Sequence, residues 1–126
     1  MIEEEPAARA NSSLTVVTKE TIEEFIKKNE LSLVYCWHPK CTGCIDILPI
    51  IKEISEEYEG RCVFGTLNVD LNGSFDPELW EKYGINGTPT VLIILKGSLI
   101  AFFFMDSPLI PSAIRSVLEN HFKTTS

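Results

Sequence analysis

Apolar residues along this chain follow two rhythms, and the switching between them predicts the elements. Leu14 to Val17 is a short strand-like run, and Thr18 can then cap a helix whose Ile22, Phe25 and Ile26 share one face. Leu31 to Trp37 is almost uninterruptedly apolar at strand length, which predicts burial on both faces of a sheet. Ile47, Leu48, Ile51, Ile54 and Tyr58 recur at helical spacing up to Gly60. Pro49 lies inside that helix and is expected to kink it, because it removes a backbone donor. Arg61 to Val69 alternates loosely, as a strand does. Asp76-Pro77-Glu78 supplies a cap, a first-turn proline and a dipole-matched acid, opening a short helix that Gly84 closes. Thr90 to Leu95 and Leu99 to Met105 form a hairpin about Lys96-Gly97-Ser98, and Ser112 to Phe122 forms the closing helix.

The predicted order is β-α-β-α-β-α-β-β-α. Crossovers through helices imply parallel strands and the late hairpin an antiparallel edge, so the class is α/β with a central mixed β-sheet. Residues 1–13 are polar and without period, expected as a flexible N-terminal tail. Residues 14–122 form one domain, and 123–126 are expected as a C-terminal tail.

Composition narrows the function classes. The 126 residues are 44% hydrophobic, enough for one domain with its own core. A net charge of −7 has the wrong sign for nucleic-acid binding, and no Lys/Arg cluster offsets it. Met1 to Pro6 is acidic and has no apolar segment of the secretory kind. The most apolar region, Val91 to Met105, is broken by Lys96-Gly97-Ser98 and falls short of the ~20 residues a membrane crossing needs. Four cysteines are too sparse for a disulfide scaffold, so a cytoplasmic, reducing location is expected.

The chemistry concentrates in Trp37-His38-Pro39-Lys40-Cys41-Thr42-Gly43-Cys44, between the buried strand and the following helix. Two cysteines three apart at a strand-to-helix junction mark a dithiol that cycles with a Cys41–Cys44 disulfide. A helix start offers unpaired N–H groups and the positive end of the macrodipole, which favour thiolate over thiol. Cys41 is therefore the expected nucleophile, with a pKa below the free value of about 8.5. Cys44, one turn on, is the expected resolving thiol, buried and in need of a proton acceptor. Asp46 points to another side of the helix. His38 and Lys40 are candidates to tune charge, the plainer reading being solvated loop residues. Cys36 and Cys62 stand alone on strands, Cys36 facing away from Tyr35 and Trp37, and both are read as core filling. With only one Cys-x-x-Cys, no metal site is expected, and no cofactor. Phe103 must face away from Phe102 and Phe104, and with Met105 and Ile45 it is a candidate apolar docking surface.

The joint placement of Trp37, Cys41, Cys44, Pro49, Asn68-Val69-Asp70, Tyr83-Gly84-Ile85 and Gly87-Thr88-Pro89-Thr90 resembles the thioredoxin family over roughly residues 14–122. The resemblance implies the thioredoxin fold, a central mixed sheet with helices on both faces. It further implies that Pro89 is cis and faces the disulfide, that the Thr88 backbone pairs with substrate beside Gly87, and that Trp37 walls the site. Three departures from the family pattern stand out. Thr42-Gly43 stands for the usual Gly-Pro, with Lys40 for a Trp. Tyr35 replaces a buried Asp, and Thr66 its Lys partner. Met105 replaces the Gly that opens the substrate groove. Tyr35, with a reference pKa of about 10, is a poor proton acceptor for Cys44 at neutral pH.

The leading expectation is a monomeric thiol–disulfide oxidoreductase that reduces protein disulfides. The resemblance implies that a thioredoxin-reductase-type donor recharges it. A stabilised Cys41 thiolate also admits an oxidant or isomerase of protein thiols. A third alternative is a thioredoxin-fold docking module with secondary redox activity, against which stands the retention of both cysteines.

Overall fold

The computed structural model describes residues 14–104 and 110–125. The expected tail at 1–13, Met105 and Ser126 lie outside these. Strand β1 (Leu14–Val17) leads to helix α1 (Ile22–Lys28), then β2 (Leu31–Trp37) and the long α2 (Thr42–Glu57). β3 (Val63–Asn68) follows, then two short strands, β4 (Asp70–Leu71) and β5 (Ser74–Phe75), before α3 (Pro77–Tyr83). β6 (Thr90–Leu95), β7 (Ser98–Phe104) and α4 (Ile110–Thr125) complete the chain.

The main sheet has the order β1-β3-β2-β6-β7. β3 is parallel to both β1 and β2, whereas β6 is antiparallel to β2 and to β7, as the helical crossovers and the hairpin require. All seven residues of β2 are buried, in keeping with its near-continuous apolar run. Alternation sends them into two cores. Leu33, Tyr35 and Trp37 pack with Ile47, Ile51 and Ile54 of α2 and Ile114 and Leu118 of α4. Val34 and Cys36 pack with Ile22, Phe25 and Ile26 of α1 and with Leu79 and Ile85 on the other side. Each such side chain contributes roughly 1.5–3 kcal/mol when fully buried, so the helices are held to the sheet chiefly by these stripes.

Several boundaries differ from expectation for identifiable reasons. Helix α1 starts at Ile22, since the Thr18 carbonyl accepts the Thr21 and Ile22 N–H groups in a preceding turn. β3 starts at Val63 because the Arg61 and Cys62 N–H groups bond back to the Tyr58 carbonyl. The closing helix runs to Thr125, through residues expected as a tail; it buries Ile114 and Leu118 and carries Arg115 to Glu57 of α2 at 2.7 Å. The β4–β5 hairpin was absent from the predicted order. Its signal is Asn72-Gly73, both with positive φ (54° and 90°), the dipeptide that a two-residue hairpin turn favours. β7 carries a bulge at Ile100, between the Ile93–Ala101 and Ile94–Leu99 pairs. Phe103 accordingly packs against the α2–α4 core. Phe102 and Phe104 remain exposed on the other face, so Phe104, not Phe103, is the outward aromatic next to the site.

Candidate active site

The end of β2 and the start of α2 are joined by His38 to Cys41, and the turn between them sets the site. Cys41 takes the N-cap position in extended conformation (φ −89°, ψ 107°). Its N–H donates to the His38 carbonyl at 2.9 Å, and its Sγ accepts the Cys44 N–H at 3.1 Å. Cys41 and Cys44 are disulfide-bonded, with Cα atoms 5.4 Å apart. Cys41 is half-buried and Cys44 buried, so of the pair only Cys41 opens to solvent.

Beneath them, Tyr35 is 1% exposed and donates its O–H to the Cys44 carbonyl at 2.6 Å. In register, Tyr35 stands directly opposite Thr66 of β3. The two positions where the family pattern has a carboxylate and a lysine thus hold a phenol and a hydroxyl, and no charge sits under the disulfide from either.

Opposite Cys41, the Thr88–Pro89 peptide bond is cis. Gly87 and Pro89 are buried, Thr88 is half-buried, and the Gly87 carbonyl accepts the Thr90 hydroxyl at 2.7 Å. A groove of about 660 Å³ is bordered by Cys41 and Pro89, with Phe75 and Phe104 also lining it. Phe104 lies so close over Gly87 that a Cβ there would stand 2.3 Å from its ring. Thr42 and Gly43 also border the groove.

One expectation needs correction. His38 is not a solvated loop residue: it is 4% exposed, with its ring 5.0 Å from that of Phe75. Its Nδ1 accepts the Lys40 N–H at 3.1 Å, and its Nε2 lies 3.0 Å from Asp70 Oδ1. That oxygen is off the line of the ring N–H, so the contact is a close approach rather than an aligned hydrogen bond. Trp37, read as a wall of the site that also packs in the core, is 2% exposed and packs in the α2–α4 core. Lys40 is exposed and reaches the Gly73 carbonyl at 3.4 Å. Asp70, Phe75 and Phe104 were not singled out as site residues. The Asn72-Gly73 turn could have found the first two, and the period-2 alternation about Phe103 the third.

The remaining cysteines lie apart from this chemistry. Burial pushes the Cys62 thiol up to about 12 and Cys36 higher still, so neither supplies a thiolate at neutral pH. Among the described residues no three His, Cys, Asp or Glu side chains gather as a metal would require. Nor, among them, is any helix long and apolar enough to cross a membrane.

The thioredoxin family model matches residues 13–107. The chain belongs to the thioredoxin family. Among curated relatives, thioredoxin 2 of Chlorobaculum tepidum is 35% identical over 77 residues, 61% of this chain and 67% of that protein. The thioredoxin of Rickettsia bellii is 38% identical over 82 residues, covering 64% and 74%, and that of Thiocapsa roseopersicina 37% over 84, covering 66% and 88%. The solved Plasmodium falciparum thioredoxin superposes with a TM-score of 0.68 at 25% identity, over 85% of this chain and 98% of its own. The Malassezia sympodialis thioredoxin shares the fold, with a TM-score of 0.71 at 18% identity. Thioredoxins are thiol–disulfide oxidoreductases with disulfide substrates and a reductase donor, and this member keeps the cysteine pair that the chemistry needs.

Proposed function

We propose that this thioredoxin reduces protein disulfides, as a cytoplasmic monomer recharged by a thioredoxin-reductase-type donor. The observation that carries the reading is Cys41 as the N-cap of a sixteen-residue helix, its Sγ on the Cys44 N–H and the cis Thr88–Pro89 bond across the groove. In the reduced protein the Cys44 amide and the helix start stabilise a Cys41 thiolate. That thiolate attacks one sulfur of a substrate disulfide; the substrate S–S bond breaks, and the departing sulfur leaves as a thiolate that takes a proton. The mixed disulfide lies along the groove, where the Thr88 backbone pairs with the substrate strand beside Pro89, while Gly87 leaves room for the Phe104 ring that borders the groove. Cys44, deprotonated by water or the departing thiolate, attacks Cys41 Sγ, frees the reduced substrate and closes the Cys41–Cys44 disulfide. Two electrons have passed to the substrate, and the donor returns two.

The test is turnover of a disulfide-bonded protein by the full chain with a thioredoxin reductase. Wild type should cycle, Cys41→Ser should show no turnover, and Cys44→Ser should stall as a covalent mixed disulfide detectable by mass spectrometry. Turnover by Cys41→Ser at the wild-type rate would sink the reading. Sedimentation of the full chain should return the monomer mass.

A second reading, an oxidant or isomerase of protein thiols, is favoured by one observation: the Tyr35–Thr66 pair leaves no buried carboxylate from either position to oppose the thiolate. The reduction potential decides between them. A value near about −270 mV supports the reductase, whereas about −200 mV or higher supports the oxidant.

A further inference from the structure

His38 has no task in the redox cycle just described, yet three of its groups converge on the residues that present Cys41. Its carbonyl accepts the Cys41 N–H at 2.9 Å, its Nδ1 accepts the Lys40 N–H at 3.1 Å, and its ring packs on Phe75. A nitrogen that accepts an N–H must offer a lone pair, so in this arrangement Nδ1 is the acceptor and the ring N–H is on Nε2. That edge faces Asp70 Oδ1. Asp70 is itself fixed, because Oδ1 accepts the Gly73 N–H at 2.9 Å and the Asp70 N–H donates to Asn68 Oδ1, also at 2.9 Å. The hairpin thereby touches the active-site turn at two points, His38 Nε2 beside Asp70 Oδ1 at 3.0 Å and the exposed Lys40 Nζ on the Gly73 carbonyl at 3.4 Å.

We propose that His38 is a positioning residue for Cys41, its imidazole serving as the side-chain acceptor of the turn and Asp70 keeping Nδ1 aimed at the Lys40 N–H. The geometry is that of an Asx turn, in which a side-chain acceptor at one residue holds the N–H two residues on. The inference rests on Cys41 being the nucleophile. The link to reactivity is the cap: the Cys44 N–H can stabilise the thiolate only while Cys41 enters the helix in its extended conformation. Without the imidazole, the Lys40 N–H loses its acceptor, the turn loosens, and the thiolate forms less readily and attacks more slowly.

The test is alkylation of the reduced full chain by iodoacetamide across a pH series, with labelling assigned by peptide mass mapping, in wild type, His38→Ala and His38→Asn. Thermal melts report that each variant is folded. His38→Ala should slow Cys41 labelling at neutral pH by about fivefold, the worth of one hydrogen bond, and move its midpoint upward. His38→Asn should stay within about twofold of wild type, since its amide oxygen can take the same N–H. An unchanged rate in His38→Ala, or His38→Asn as slow as His38→Ala, overturns the proposal. If His38→Ala does not fold, Asp70→Ala replaces it; removing the anchor should slow Cys41 in the same direction, and an unchanged rate there overturns the proposal too. Failure of wild-type Cys41 to label at all would instead overturn the nucleophile assignment on which the proposal stands.

Discussion

The Tyr35 hydroxyl donates a 2.6 Å hydrogen bond to the carbonyl of Cys44, tying the central strand to the first turn of the helix that carries both cysteines. Both partners are buried, so removing the donor leaves a carbonyl without one of its bonds in a low-dielectric site. Tyr35→Phe should lower stability by about 1 kcal/mol or somewhat more, read as a shift in the urea midpoint at constant slope. The variant should still cycle, because the phenol is not needed to carry a proton. Loss of turnover in a folded Tyr35→Phe would instead make Tyr35 the missing proton acceptor for Cys44.

Gly87 is required by the ring above it. A methyl group there would meet Phe104 Cε1 at 2.3 Å, a separation real side chains do not tolerate. Gly87→Ala should therefore push the exposed Phe104 ring into the groove, at little cost in stability because only the far end of that side chain has to move. The expected signature is a raised KM for a protein disulfide with little change for a small-molecule disulfide. Pairing it with Phe104→Ala should restore the KM. A double variant as impaired as the single one would show that the ring is not the obstacle.

Tyr58 closes the contact between α2 and α4. Its hydroxyl donates to Glu119 at 2.6 Å, and burial first, then that hydrogen bond, push its pKa up to about 12 from the usual 10.0. A folded-state pKa above the unfolded one means the folded state holds its proton longer. The associated stability is present in full below pH 10 and is lost as pH rises toward 12. Chemical denaturation across that window should show wild type losing stability more steeply than Tyr58→Phe. Parallel curves would remove Tyr58 from the account.

The two thiols outside the active site should be silent. Cys36 is 0% and Cys62 5% exposed, and burial raises both thiol pKa values far above neutrality. Reduced native protein should take up iodoacetamide at Cys41 at neutral pH, with Cys36 and Cys62 reacting only after denaturant is added. Rapid native labelling at either would mean that the sheet opens locally around it.

Much of this molecule was readable as a string. The seven-residue apolar run of β2, the helical spacing from Ile47 to Tyr58 and the Asp76-Pro77…Gly84 punctuation each express a local rule, period or cap, that the chain obeys wherever it is placed. The opposite faces of Tyr35 and Cys36 followed from strand alternation alone. Cys41 and Cys44 were legible because a strand followed by Cys-x-x-Cys and a helix has few other uses.

What resisted reading depends on which elements meet. That His38 is buried follows from the Asp70–Phe75 hairpin folding over it, a contact between segments more than thirty residues apart. That Phe104 rather than Phe103 borders the groove depends on the pairing of β7 with β6, which sends Phe103 into the α2–α4 core. Trp37 went to the core because β2 is covered on both faces. Periodicity tells which residues share a face, but only the packing of one element on another decides what that face meets.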